Sequence, residues 1–219
     1  MIQAHNQVEL ETAIAEGASE IELLGDANTT YTVKKGSPLL VTRGSSSPIV
    51  EAWNSSSPHV EALDSSSPFV EAWNSSSPFV LARESSRPHV EAWDSSSPRV
   101  GAREFSRPSV GAWDSSSPRV EAWDSSRPIV VAWNSSGPRV VAWNSSRPRV
   151  EAWESSNPRV EARDFSRPLV EARDSSSPLV EARGKTPLNE IWPGAPQAGV
   201  RDEVVDLYRE KNEKKDETQ

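Results

Sequence analysis

The chain has no cysteine among its 219 residues, which removes disulfide frameworks, thiolate metal sites and cysteine nucleophiles. Its three histidines, His5, His59 and His89, are scattered, so no metal-ligand cluster, no phosphate loop and no distinguishable acid–base pair stands out. No stretch approaches the ~20 apolar residues of a membrane span. Met1 to Gly17 lacks an apolar run flanked by basic residues, so no secretory signal is read there and the expectation is a cytoplasmic protein. Charge of either sign is thin: the net −8 divides into −3 over residues 1–44, −3 over 45–184 and −2 over 185–219. Generic nucleic-acid binding is therefore not implied. Hydrophobic residues make up only 35%, a share that alone would suit disorder; the order of the residues argues otherwise.

From Ser45 to Gly184 every ten residues follow Ser-Ser-x-Pro-x-Val-x-Ala-x-(Asp/Asn/Glu), and prolines recur at each tenth position from Pro38 to Pro178. A strict short period means blocks of one backbone shape stacked on their neighbours. Val50, Ala52 and their equivalents alternate with Glu51 and Trp53, the period of a strand. Val and Ala point inward; Glu and the Trp/Arg position point outward. The middle serine, Ser56 on to Ser176, never varies. That invariance predicts a buried hydroxyl that satisfies backbone groups at a tight corner, after which proline turns the chain where its missing N–H harms no ladder.

A second period lies inside the first. Arg87, Arg107, Arg127, Arg147 and Arg167 are twenty residues apart, as are Trp53, Trp73, Trp93, Trp113, Trp133 and Trp153. Two environments alternate along the chain. This predicts an all-β, two-sided parallel β-solenoid with about 20 residues, two decapeptides, in each coil. A three-block coil would require a thirty-residue period, which the arginines do not show. Residues 1–44 read as an N-terminal cap with the first rungs: Asn6 and Glu9 form a capping box, Val8, Leu10, Ala13 and Ile14 recur at helical spacing, and Gly17 suits the left-handed stop. Glu20–Leu24, Tyr31–Val33 and Leu39–Thr42 are strand candidates. Residues 185–219 read as a plug of Leu188, Ile191 and Trp192, a C-terminal helix striped by Val200, Val204, Leu207 and Tyr208, and a charged tail.

The repeats resemble those of bacterial and phage proteins with serine-rich short repeats, here lengthened by a proline-containing corner, over about residues 38–184. The helix-then-strand opening from Val8 to Val33 is similar to that of many parallel β-helix proteins. The first resemblance implies a β-solenoid and little about function. The second group includes polysaccharide lyases, whose catalytic Asp, Lys and Arg clusters have no matching positions here.

The candidate binding residues are the six-tryptophan column and Arg99, Arg119, Arg139 and Arg159. A continuous indole strip suggests self-association as a homodimer, since a two-fold interface uses one patch twice, or capture of a partner. A purely stabilising aromatic ladder accounts for it as well. Sugar binding by the rings is the alternative, and a polyanion is the ligand that the arginine ridges would take, unless Glu and Asp neutralise them. Ice binding is opposed by Glu, Arg and Trp among the outward serines. No catalytic residue, metal ligand or cofactor site is expected, so the reading is of a non-enzymatic structural or interaction protein.

Overall fold

The computed structural model describes residues 1–182; the predicted plug and C-terminal helix lie outside them. The elements are β1 (Ile2–Ala4), α1 (Gln7–Ala15), β2 (Ile21–Leu23), β3 (Thr30–Val33) and β4 (Leu39–Thr42), then a four-residue strand every ten residues from β5 (Ile49–Ala52) to β18 (Leu179–Ala182). β1, β2 and the even-numbered strands from β4 form one ten-stranded parallel sheet, sheet A; the odd-numbered strands from β3 to β17 form an eight-stranded parallel sheet, sheet B. From β4 on, each strand pairs with the one twenty residues on, Val100 with Val120 and Val110 with Val130, while β1, β2 and β3 pair at a spacing of nineteen. This is the two-sided solenoid that the twenty-residue period predicts.

The core is a stack of identical layers. Val50 to Val160, one in each block, are fully or almost fully buried, as are their Ala neighbours from Ala52 to Ala162. Proline joins them: Pro48 to Pro178 are all buried, a fourth inward residue beyond the three the pattern suggested. Proline's carbonyl accepts the N–H of the residue twenty-one positions on, as in Pro78 O with Arg99 N at 2.9 Å, so the ladder continues through it.

Each corner is a tight turn closed by a bond from the serine N–H to the carbonyl three residues back, Ser96 N to Trp93 O at 2.9 Å. Both central residues are left-handed, Asp94 at φ 49° and Ser95 at φ 62°, which is the type I′ pattern. Asn and Asp tolerate this region best, which explains the Asp/Asn preference at the first central position. The second is less well served. Phe105 sits there at φ 63° while remaining 67% exposed. Phe105→Gly is therefore expected to raise stability by about 1 kcal/mol, since little packing is lost and the left-handed strain disappears. A urea midpoint no higher than wild type would refute this.

The corner serines are buried as expected, but mostly without partners. Ser66 Oγ bonds the Thr42 carbonyl at 3.2 Å and Ser176 Oγ the Ala152 carbonyl at 3.1 Å. The hydroxyls of Ser56 and of nine serines in series from Ser76 to Ser156, with Ser166, have no hydrogen-bond partner among the described residues.

The N-terminal cap follows its sequence signals. Asn6 Oδ1 accepts the Glu9 N–H at 3.0 Å, and Glu9 in return accepts from Asn6 Nδ2 and the His5 N–H. Gly17 stands at φ 74°, with Ala18 N bonded to Ala13 O and Gly17 N to Ile14 O, the Schellman pattern. Leu10 and Ala13 enter the core, whereas Val8 is 72% exposed, so the expected apolar stripe is narrower than its sequence. No helix among the described residues is long and apolar enough to cross a membrane.

Candidate functional site

The outward residues of both sheets fall into columns, because each coil repeats the last at strand spacing. In the turns that follow the sheet B strands, the six predicted tryptophans stack ring on ring. Successive centroids from Trp53 to Trp153 are 5.0–5.5 Å apart, with planes within 11° of parallel. Each indole is half-buried. Arg173 takes the next place in the column, with its guanidinium carbon 4.7 Å from the Trp153 centroid, so a cation covers the last ring face.

The indole N–H groups turn back onto their own strands. Trp53, Trp73 and Trp93 donate to Glu51, Glu71 and Glu91 at 3.1, 3.4 and 3.2 Å. Burial pushes the Glu71 carboxyl above its ordinary range, partly offset by the Trp73 N–H, and the charges of Glu51 and Glu91 push it further up. At Trp113 the matching position is Gly111, and the buried Nε1 has no partner. Beside the ladder, Phe69 and His89 stack at 4.9 Å. His59 and His89 open strands β6 (His59–Ala62) and β9 (His89–Ala92), on the sheet faces and not at corners.

The predicted arginines lie elsewhere. Arg99, Arg119, Arg139 and Arg159 open alternate sheet strands, β10 (Arg99–Ala102), β12 (Arg119–Ala122), β14 (Arg139–Ala142) and β16 (Arg159–Ala162), in sheet A. The structure thus brings the six tryptophans together and the four arginines together, but on different sheets. Carboxylates neutralise most of this arginine row: Arg119 meets Glu121 at 2.6 Å, Arg139 meets Glu161 at 2.6 Å, and Arg159 meets Glu181 at 3.0 Å. The other ridge, Arg87 to Arg167, is exposed and has no ion pair among the described residues.

The turns after the sheet A strands carry a different column. Arg103 lies 4.8 Å over Trp123 and Arg163 lies 4.4 Å over Trp143, with the two indoles tilted at 5.9 Å between them. One residue on, Asp64 and Glu84 crowd each other, and hydrogen bonding and charge from Asp64 raise the Glu84 carboxyl. Asparagine relieves the equivalent crowding elsewhere, Asn134 donating to Asp114 at 3.1 Å and Asn144 to Asp124 at 3.4 Å.

No family model, curated protein or solved structure matches the chain. The resemblance to serine-rich short-repeat proteins is met at the level of a parallel β-solenoid with a ten-residue period.

Two features escaped sequence reasoning. Glu161 gathers three arginines, which requires partners from the preceding coil. Gly101 breaks the pattern, a visible signal, but the opening it makes depends on neighbours twenty residues to either side.

Proposed function

We propose that this is a non-enzymatic interaction protein, a scaffold that self-assembles when the Trp53–Trp153 edge of one copy docks on the arginine-rich edge of another. The carrying observation is how the rings are spent. Each inner indole has both faces covered by its neighbours at 5.0–5.5 Å, and three of the N–H groups are engaged by the strand's own Glu. A sugar stacks on a free ring face, and the ladder offers few. What faces outward is a ridge of carbon edges about five strand spacings long, ~24 Å. A flat apolar ridge of that kind is suited to another protein surface.

Charge supports the choice of occupant. Between residues 43 and 182, the turns on the tryptophan edge carry Asp94, Asp114, Glu154 and Asp174 against Arg173 alone. The turns of the opposite edge carry nine arginines against five carboxylates. A two-fold dimer through the tryptophans would set carboxylate columns against each other, whereas edge-to-edge pairing joins opposite signs. Such a heterologous contact does not close on itself.

The test is light scattering on the full chain over a range of concentration and salt. The expected result is a mass that rises with concentration and falls as salt screens the edges. Trp93→Ala with Trp113→Ala should reduce association at least about tenfold, as loss of central aromatic contacts does in other interfaces, with the β-sheet circular dichroism intact. A single-chain mass throughout, an unchanged mass in the double variant, or a salt-insensitive dimer would each refute the reading.

A further inference from the structure

The outward side chains of sheet A form a grid, three to a strand and repeated every coil. Gly101 stands at the centre of one three-by-three patch and adds no side chain to it; the glycine is buried, with the end of Leu81 leaning over it. The preceding strand supplies Phe79 and Leu81, the following one Arg119 and Glu121 with Trp123 just beyond, and Gly101 is flanked by Arg99 on its own strand and by Arg103 in the turn that follows. Together they enclose a cavity of about 290 Å³, at the small end of the range for ligand sites.

Two observations separate this notch from a mere missing side chain. The residue that Gly101 replaces is the one that elsewhere pairs the arginine two positions earlier, as Glu121 pairs Arg119 at 2.6 Å and Glu151 pairs Arg149 at 2.9 Å. Arg99 therefore has no ion-pair partner among the described residues, unlike Arg119, Arg139 and Arg159. The nearest substitute, Glu121, is already engaged by Arg119. Across the gap, the Arg103 guanidinium carbon lies 4.8 Å from the Trp123 ring centroid, and Arg103 likewise has no carboxylate partner among the described residues. Its stacked face is used, while its N–H edge is not. Two guanidinium groups thus border a cavity whose other walls are the apolar Phe79, Leu81 and Trp123 and the Arg119–Glu121 ion pair, whose carboxylate is already neutralised. Phe79 on that wall is itself braced, edge-on to His59 at 4.6 Å.

We infer that the Gly101 notch binds a small organic anion with a flat apolar body, of the aromatic carboxylate class. The carboxylate would meet the forks of Arg99 and Arg103, a match of planar donors to paired acceptors. The ring would lie beside the end of Leu81, between Phe79 and Trp123. This site is argued from observations of its own, but Arg103 and Trp123 also belong to the arginine-rich edge proposed above as a docking surface, so the titration is made on dilute protein of single-chain mass.

Benzoate and inorganic phosphate, titrated separately into the full chain, test it. The readout is the NMR signals of the Trp123 indole N–H and of the Arg99 and Arg103 Nε–H. The decisive variant is Gly101→Glu, which restores the repeat's own residue. A Cβ there comes within 3.0 Å only of Leu81 Cδ1, the end of a flexible side chain, so the fold accepts it. Benzoate should shift these three signals together in the wild type and leave them unmoved in Gly101→Glu. Arg99→Gln should weaken binding about tenfold, the worth of one charged hydrogen bond. Benzoate shifts that persist in Gly101→Glu, no shift in the wild type, or phosphate reproducing every shift at equal concentration would each overturn the inference. The last would mean that the arginine-rich face attracts any anion.

Discussion

Replacing Tyr31 with alanine is expected to cost about 4 kcal/mol, the range for deleting a buried aromatic side chain. Tyr31 is the largest fully buried side chain in the described residues. Its single hydroxyl proton is shared between the Ala4 carbonyl at 2.6 Å and the Leu24 carbonyl at 2.9 Å, tying β3 to β1 and to the residue that follows β2. The valine–alanine layers above it have no ring and no comparable volume, so nothing nearby can fill the hole. In a solenoid each layer leans on its neighbours, and loss of one end propagates inward. The loss should therefore be local: hydrogen exchange should quicken in β4 and β5 while the amides of β11 (Ser109–Ala112) and β12 stay protected. Tyr31→Phe keeps the ring and should cost only about 1 kcal/mol. A uniform rise in exchange along the chain, or an alanine variant no worse than the phenylalanine one, would contradict this account.

Replacing Glu161 with alanine is expected to cost about 2–3 kcal/mol, less than a wholly buried pair because its partners are partly in water. The Glu161 side chain is only 6% exposed. It meets Arg139 at 2.6 Å, Arg163 at 3.2 Å and Arg159 at 3.7 Å. Without it, three guanidinium groups face one another, one of them stacked on Trp143 and unable to turn away. Burial pushes the Glu161 carboxyl up, but the Arg139 hydrogen bond and the charges of Arg139, Arg163 and Arg159 outweigh that and hold it below its ordinary 4.5. Because the folded value is depressed, Glu161's charge stabilises the fold fully above about pH 4.5 and ceases to do so as pH falls through the lower folded value. Urea midpoints followed from about pH 7 to about pH 3 should thus fall more steeply in the wild type than in Glu161→Ala. Parallel curves would show that the carboxylate carries no such linkage.

Both predictions depend on neighbours one coil away, and this marks the boundary of what the sequence shows. The ten-residue spacing of proline, the Val–Ala alternation and the twenty-residue arginine period were enough for a two-sided parallel solenoid, since in a stacked repeat the same local pattern sets every layer. Asn6, Glu9 and Gly17 likewise marked the ends of α1, because helix caps are made within a few residues. The short strand β1 left no signal: Ile2-Gln3-Ala4 becomes a strand only because Ile21–Leu23 pairs with it. Val8 reads as part of an apolar stripe, yet no element among the described residues covers it. The corner serines were legible as buried, but not as mostly unpartnered, because a hydroxyl's partner depends on distances across coils that the repeat does not show.

The sequence by itself determined the coil, its period and the columns of tryptophan and arginine. Tertiary structure alone decided that the indoles present edges and not faces, that Glu161 holds three arginines while Arg99 holds no carboxylate, and that Gly101 opens a notch. The physical reason is one of range. Backbone period and inward packing repeat identically in each block, whereas the partner of an outward side chain is whatever stands two residues along and one coil over, and the blocks differ in just those residues.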